Sequence, residues 1–120
     1  MLRSRLSEVH DFPVEQILIG AGSSQVISLL CHTLLGPAFN AVTSERSFIV
    51  YGMAVRATGA QFLEAPMKDN GIDLSAILQR INSQTRIVLL ANPNNPTGTM
   101  VDAADLDRFL AQVPSHVVVV

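Results

Sequence analysis

Two loops in this sequence carry residue types suited to holding a polar ligand. The first, Gly20-Ala21-Gly22-Ser23-Ser24-Gln25, follows an apolar run at 17–19 and opens a helical pattern that begins with Val26 and Ile27. Glycines let the backbone turn sharply and approach a ligand closely, and the free N–H groups of a helix start, backed by the helix dipole, attract an anion. The pattern is G-x-G-x-x-Q, so the third glycine of a dinucleotide fingerprint is absent, and no G-K-[ST] ending marks a nucleotide P-loop. The same residues would serve equally as a glycine turn with Ser23 or Ser24 as the N-cap. The second loop, Asn92-Pro93-Asn94-Asn95-Pro96-Thr97-Gly98, follows the apolar run 87–90. Its two prolines restrict the backbone, while its asparagines present amide donors and acceptors and tolerate unusual turn conformations. By composition alone it would also suit a tight strand-to-helix connection.

Other reactive side chains are few. Cys31 is the single cysteine, has no Cys or His neighbours at metal-ligand spacing and reads as a small core residue. Lys68, the only lysine, sits in the polar turn Met67-Lys68-Asp69-Asn70-Gly71 and reads as a solvated surface amine rather than a desolvated nucleophile.

The elements that must position these loops follow from periodicity. Short apolar runs near 17–20, 40–43, 61–64, 86–91 and 116–120 alternate with helical patterns at 24–35, 48–58, 74–82 and 102–113, after an opening helix at 2–10. Such alternation predicts an α/β fold with a mostly parallel sheet in three α/β/α layers. In open sheets of this kind ligands bind at the carboxyl ends of strands, where both loops fall. The closing run Val117-Val118-Val119-Val120 has the look of a strand buried on both faces, which makes this sequence read as a piece of a longer polypeptide.

Composition narrows the partners. Of 120 residues, 48% are hydrophobic and 15% charged, with a formal charge of -2, which fits one domain's worth of globular sequence. The arginines are scattered from Arg3 to Arg108, so no basic face is expected to track nucleic acid. No apolar stretch approaches the roughly 20 residues of a membrane span. The polar sequence after Met1-Leu2-Arg3 lacks a signal-peptide core, so a cytoplasmic location is expected.

The string Asn-Pro-Asn-Asn-Pro-Thr-Gly after an apolar strand resembles the signature of the pyridoxal-phosphate-dependent aminotransferases of the aspartate aminotransferase fold. The loop 20–25, the segment Ser44-Glu45-Arg46-Ser47-Phe48-Ile49-Val50-Tyr51 and the stretch 63–74 follow in the order and approximate spacing of the histidinol-phosphate aminotransferase branch. The resemblance implies that residues 1–120 are the central part of the cofactor-binding large domain. It implies that the backbone N–H groups of Ser23 and Ser24 hold the phosphate of pyridoxal 5'-phosphate, that Phe48 stacks on its pyridine ring and that Asn95 hydrogen-bonds its phenolic oxygen. Phe48 would otherwise be a core residue at a helix start, and Tyr51, one turn later, reads as structural. The family's pyridine-pairing aspartate, Schiff-base lysine and carboxylate-binding arginine find no match here and are expected beyond residue 120. The implied reaction moves an amino group between glutamate and imidazole-acetol phosphate, in an enzyme that is a homodimer when full length. The alternatives are another aminotransferase or a decarboxylase of the same fold, a small nucleotide-binding module using 20–24, and a non-catalytic α/β piece.

Overall fold

The computed structural model describes residues 1–120. Five helices, α1 (Leu2–His10), α2 (Gly22–Leu34), α3 (Ile49–Ala57), α4 (Leu74–Arg80) and α5 (Ala103–Leu110), are interleaved with six strands. The strands are β1 (Asn40–Ser44), β2 (Gln61–Ala65), β3 (Met67–Lys68), β4 (Gly71–Ile72), β5 (Thr85–Leu89) and β6 (Val118–Val119).

Neighbouring residues of the central strands feed two separate cores, as the alternation of side chains along a strand requires. Ala41, Ile87 and Leu89 pack with Ile27, Cys31, Tyr51 and Val55 on one face. Val42 and Val88 pack with Ile77, Phe109 and Val117 on the other. The sheet therefore lies between α2 and α3 on one side and α4 and α5 on the other, the expected three-layer arrangement.

Strand order is β2-β1-β5-β6, with every pairing parallel. The chain leaves β1 through α3 to reach β2, then returns through α4 to β5 on the opposite side of β1. Right-handed crossovers in opposite directions place their helices on opposite faces. The reversal creates a topological switch point between β1 and β5, where open α/β sheets form a crevice at the carboxyl ends of the strands. Asp73 and Asp102 start α4 and α5 by accepting the N–H groups of Ala76 and Asp105 at 3.0 and 2.8 Å.

The short hairpin β3–β4 is the one antiparallel pair. Its central residues, Asp69 and Asn70, have φ of 52° and 59°. These are the left-handed values of a two-residue hairpin turn, which Asp and Asn tolerate better than other side chains. Lys68 is exposed there, as the polar turn predicts.

One expectation needs correction. The run 17–20 forms no strand: after a 3-10 turn at Val14–Gln16 the chain is extended at Ile17 but pairs with neither edge of the sheet, and Leu18 and Ile19 remain 62% and 42% exposed. Apolar alternation gives a segment its extended preference, but a ladder also needs a neighbour to supply the partner groups. The closing valines are covered on one face within residues 1–120. Val117 and Val119 pack towards α4 and α5, whereas Val118, on β6 with β5 as its one neighbour, is 42% exposed.

Candidate functional site

The connectivity brings three segments to the same end of the sheet. Residues 45–48 leave the carboxyl end of β1, residues 92–98 follow β5, and α2 runs down towards the start of β1, so its N-terminus lies at the strands' carboxyl ends. Phe48 and Ala91 both pack against the core cluster that contains Ile27 of α2.

At the start of α2, neither serine acts as the cap. The N-cap is Ala21, with no side-chain cap bond. Gln25 instead reaches back one turn, its Oε1 accepting the Ala21 N–H at 2.6 Å. A Cβ at Gly20 would lie 2.9 Å from Val26 Cγ2 and 3.2 Å from Gln25 Oε1, while Gly22 has φ of +78°. One glycine is thus required by a close approach and the other by its backbone conformation. Ser23 and Ser24 are exposed, and their N–H groups belong to the first turn, which has no intrahelical acceptors. The arrangement leaves donors free for an anion at the positive end of the helix dipole.

Phe48 is the N-cap residue of α3. Its half-buried ring meets Tyr51 edge-to-face, with centroids 5.6 Å apart and planes at 85°. Tyr51 is buried in the core, as its structural reading requires, and burial pushes its phenol pKa up. Phe48, Ser47, Ser44 and Arg56 help line a cleft of about 260 Å³. Ser44 Oγ, buried at the end of β1, is the one buried side-chain polar atom without a partner. A larger cleft, about 530 Å³, lies between the hairpin, α4 and α5. The carboxylates of Asp73 and Asp102 on its rim are occupied as helix caps.

The loop after β5 separates two adjacent asparagines. Asn94 is 2% exposed and fully engaged. Its Nδ2 donates to the Arg46 carbonyl at 3.1 Å and to Thr97 Oγ1 at 2.8 Å, and its Oδ1 accepts from Ser47 Oγ at 3.1 Å. Asn92 clamps the loop's far side, donating to the Val101 carbonyl at 3.0 Å and accepting the Val101 N–H at 2.9 Å. Asn95 is exposed, and none of the loop's side-chain hydrogen bonds uses it. A rigid frame thus holds a free amide at the end of β5. The sequence singled out Asn95 but not Asn94, Asn92 or Gln25, because spacing along the chain does not show which amides turn inward.

Pyridoxal phosphate needs an anion cup, an aromatic face and a polar group for its ring oxygen. The uncapped start of α2, the partly exposed Phe48 ring, the unengaged Asn95 amide and the unpartnered Ser44 hydroxyl at the β1 end fit such a group. The remaining singled-out residues are not part of this arrangement: Cys31 is fully buried with its thiol pKa pushed up by desolvation, and Lys68 is on the hairpin.

The chain is 45% identical over 119 residues to "Histidinol-phosphate aminotransferase 2" of Pseudomonas fluorescens, covering 99% of this chain and 32% of that protein. Among solved structures it matches a histidinol-phosphate aminotransferase from Sinorhizobium meliloti in complex with pyridoxal-5'-phosphate with a TM-score of 0.90 at 23% identity, over 98% of this chain and 32% of that one. An aspartate aminotransferase from Thermus thermophilus matches with a TM-score of 0.88 at 21% identity, over 98% and 34% of the two chains, so the fold is shared by enzymes named for different substrates. The chain spans about a third of the length of the curated relatives it matches. The family model for aminotransferase class I and II matches residues 2–120, and the chain belongs to that family.

Proposed function

We propose that residues 1–120 form the central part of the cofactor-binding large domain of a pyridoxal-phosphate-dependent aminotransferase. The full-length protein transfers the amino group of histidinol phosphate to 2-oxoglutarate, yielding imidazole-acetol phosphate and glutamate in histidine biosynthesis, as a cytoplasmic homodimer. The reading is supported by the sheet topology, in which the loops after β1 and β5 leave the carboxyl ends of adjacent strands, and by the first-turn donors of α2 and the Asn95 amide, which no hydrogen bond engages. The names of relatives that are 40–46% identical over nearly the whole chain support the substrate.

In this reading the N–H groups of Ser23 and Ser24 bind the phosphate, with Gln25 keeping the loop folded back from it. Phe48 covers one face of the ring and excludes water from that side. Asn95 donates to the ring oxygen, fixing ring tilt and electron distribution, the protein's part in cofactor chemistry. Pyridoxal phosphate, when bound, would supply the electron sink that lets the proton on the donor's amine-bearing carbon leave. The amine that takes the cofactor covalently lies outside these residues, since Lys68 stands on an exposed hairpin.

The test is reconstitution of the full-length protein with pyridoxal phosphate, followed by glutamate formation from 2-oxoglutarate with histidinol phosphate, aspartate, alanine or tyrosine as donor. We expect stoichiometric cofactor uptake and the highest kcat/KM with histidinol phosphate. Failure to take up cofactor would overturn the aminotransferase reading, and a better donor would replace the substrate.

A further inference from the structure

We propose that Asn94 is a positioning residue that locks the loop carrying Asn95 to the loop carrying Phe48. The inference rests on the reading of Phe48 and Asn95 as cofactor contacts, but the lock itself is visible without any cofactor. The two loops follow different strands and are joined through one buried side chain.

Every polar group of Asn94 is occupied. Its backbone N–H donates to the Thr99 carbonyl at 2.8 Å, and its own carbonyl accepts the Gly98 N–H at 2.7 Å, which closes the loop on itself. The side chain then reaches across to the β1–α3 connection. The Arg46 carbonyl can only accept, so the side of the amide facing it must be the NH₂. The opposite side is therefore Oδ1, and it receives the Ser47 hydroxyl. Arg46 has φ of 50°, a left-handed conformation uncommon for residues other than Gly, Asn and Asp, and its carbonyl is the group Asn94 holds. Ser47 immediately precedes Phe48, and Asn94 immediately precedes Asn95. A change in either loop is thus passed to the other within one residue of each proposed contact.

Charge enters little into this lock, since the neighbours facing the amide are hydroxyls and a carbonyl. An amide is suited to the place because it donates twice and accepts at once. Asp would keep the acceptor for Ser47 but turn an oxygen on the Arg46 carbonyl, and Leu would leave that carbonyl and the Ser47 hydroxyl without their partner.

The experiment compares parent, Asn94→Ala, Ser47→Ala and the double variant in the full-length protein. Ser47→Ala removes a single bond and guards against a variant that fails to fold. In cofactor-free protein, amide hydrogen exchange is followed in peptides covering 45–51 and 92–99. Asn94→Ala is expected to speed exchange in both segments by roughly fivefold or more, the loss of about one hydrogen bond, with β1 and β5 unchanged. Ser47→Ala is expected to do the same more weakly, and the two effects should not add. Faster exchange confined to 92–99 would overturn the lock. With pyridoxal phosphate bound, kcat should fall about tenfold in Asn94→Ala, with KM for the amino donor changed less than threefold and the visible absorbance titrating at a different pH. A folded variant with the parent's kcat and titration would overturn the positioning role even if its melting temperature were lower. A parent that takes up no cofactor would remove the function proposed above, whereas the exchange comparison would still decide whether Asn94 couples the loops.

Discussion

The side-chain oxygen of Gln25 accepts the Ala21 N–H at 2.6 Å, closing the glycine loop from one turn inside α2. Gln25 occupies the position of the third glycine in a dinucleotide fingerprint, so the departure from that pattern has a structural use here. It occupies one loop donor while leaving those of Ser23 and Ser24 open. Gln25→Ala should loosen the loop and raise the dissociation constant for pyridoxal phosphate about fivefold, as expected for one exposed hydrogen bond. Ser23→Ala and Ser24→Ala should change it less than threefold, because the proposed donors are backbone groups. Fluorescence titration of the full-length protein measures both, and a large loss in either serine variant would transfer the role to the hydroxyls.

Asn95→Ala should leave the fold intact, because the side chain is exposed and no other part of the loop depends on it. Transamination should fall by a factor corresponding to about 0.5 to 1.5 kcal/mol, and the cofactor absorbance should titrate at a shifted pH. Unchanged activity together with an unchanged titration would take Asn95 out of the site.

Lys68→Ala should preserve activity. The residue lies on a two-stranded hairpin beside Asp69, exposed to water and outside the loops proposed to hold the cofactor. Borohydride reduction of the cofactor-loaded enzyme followed by peptide mapping should find no stoichiometric label on Lys68. Such a label at low cofactor concentration would place the covalent chemistry on the hairpin.

Cys31 supplies a pH dependence whose sign is fixed by its burial. Desolvation raises its thiol pKa in the fold, so above the ordinary thiol range the unfolded chain gives up a proton that the folded chain retains. The corresponding stability is complete below about pH 8 and is lost as pH rises through the folded pKa, with Tyr51, shifted in the same direction, adding to the decline at higher pH. Urea unfolding should show Cys31→Ala less stable than the parent at pH 7.5 by about 1 to 2 kcal/mol for the lost packing, and this gap should narrow by pH 10. A constant gap would mean that the thiol does not ionise differently in the two states. A thiol reagent should modify Cys31 only after unfolding.

Local pattern determined much of this molecule. The helical spacing of Leu106, Phe109 and Leu110 placed α5, the glycine and proline punctuation separated the crossovers, and apolar runs located β1, β2 and β5, because each of these signals acts between residues close in the chain. The roles proposed for Phe48 and Asn95 came instead from the resemblance that the loop strings carry to a known family. What only the tertiary structure decided depends on partners distant in sequence. The run 17–20 has a strand's composition but lies beside no strand. Asn94 and Asn95 are the same residue type side by side, yet one is buried in a lock with residues 47 and 48 positions earlier in the chain while the other is left free. Residue type sets what an amide can bond to, but which amide turns inward is fixed by the pairing of β1 with β5, which sets their two following loops against each other.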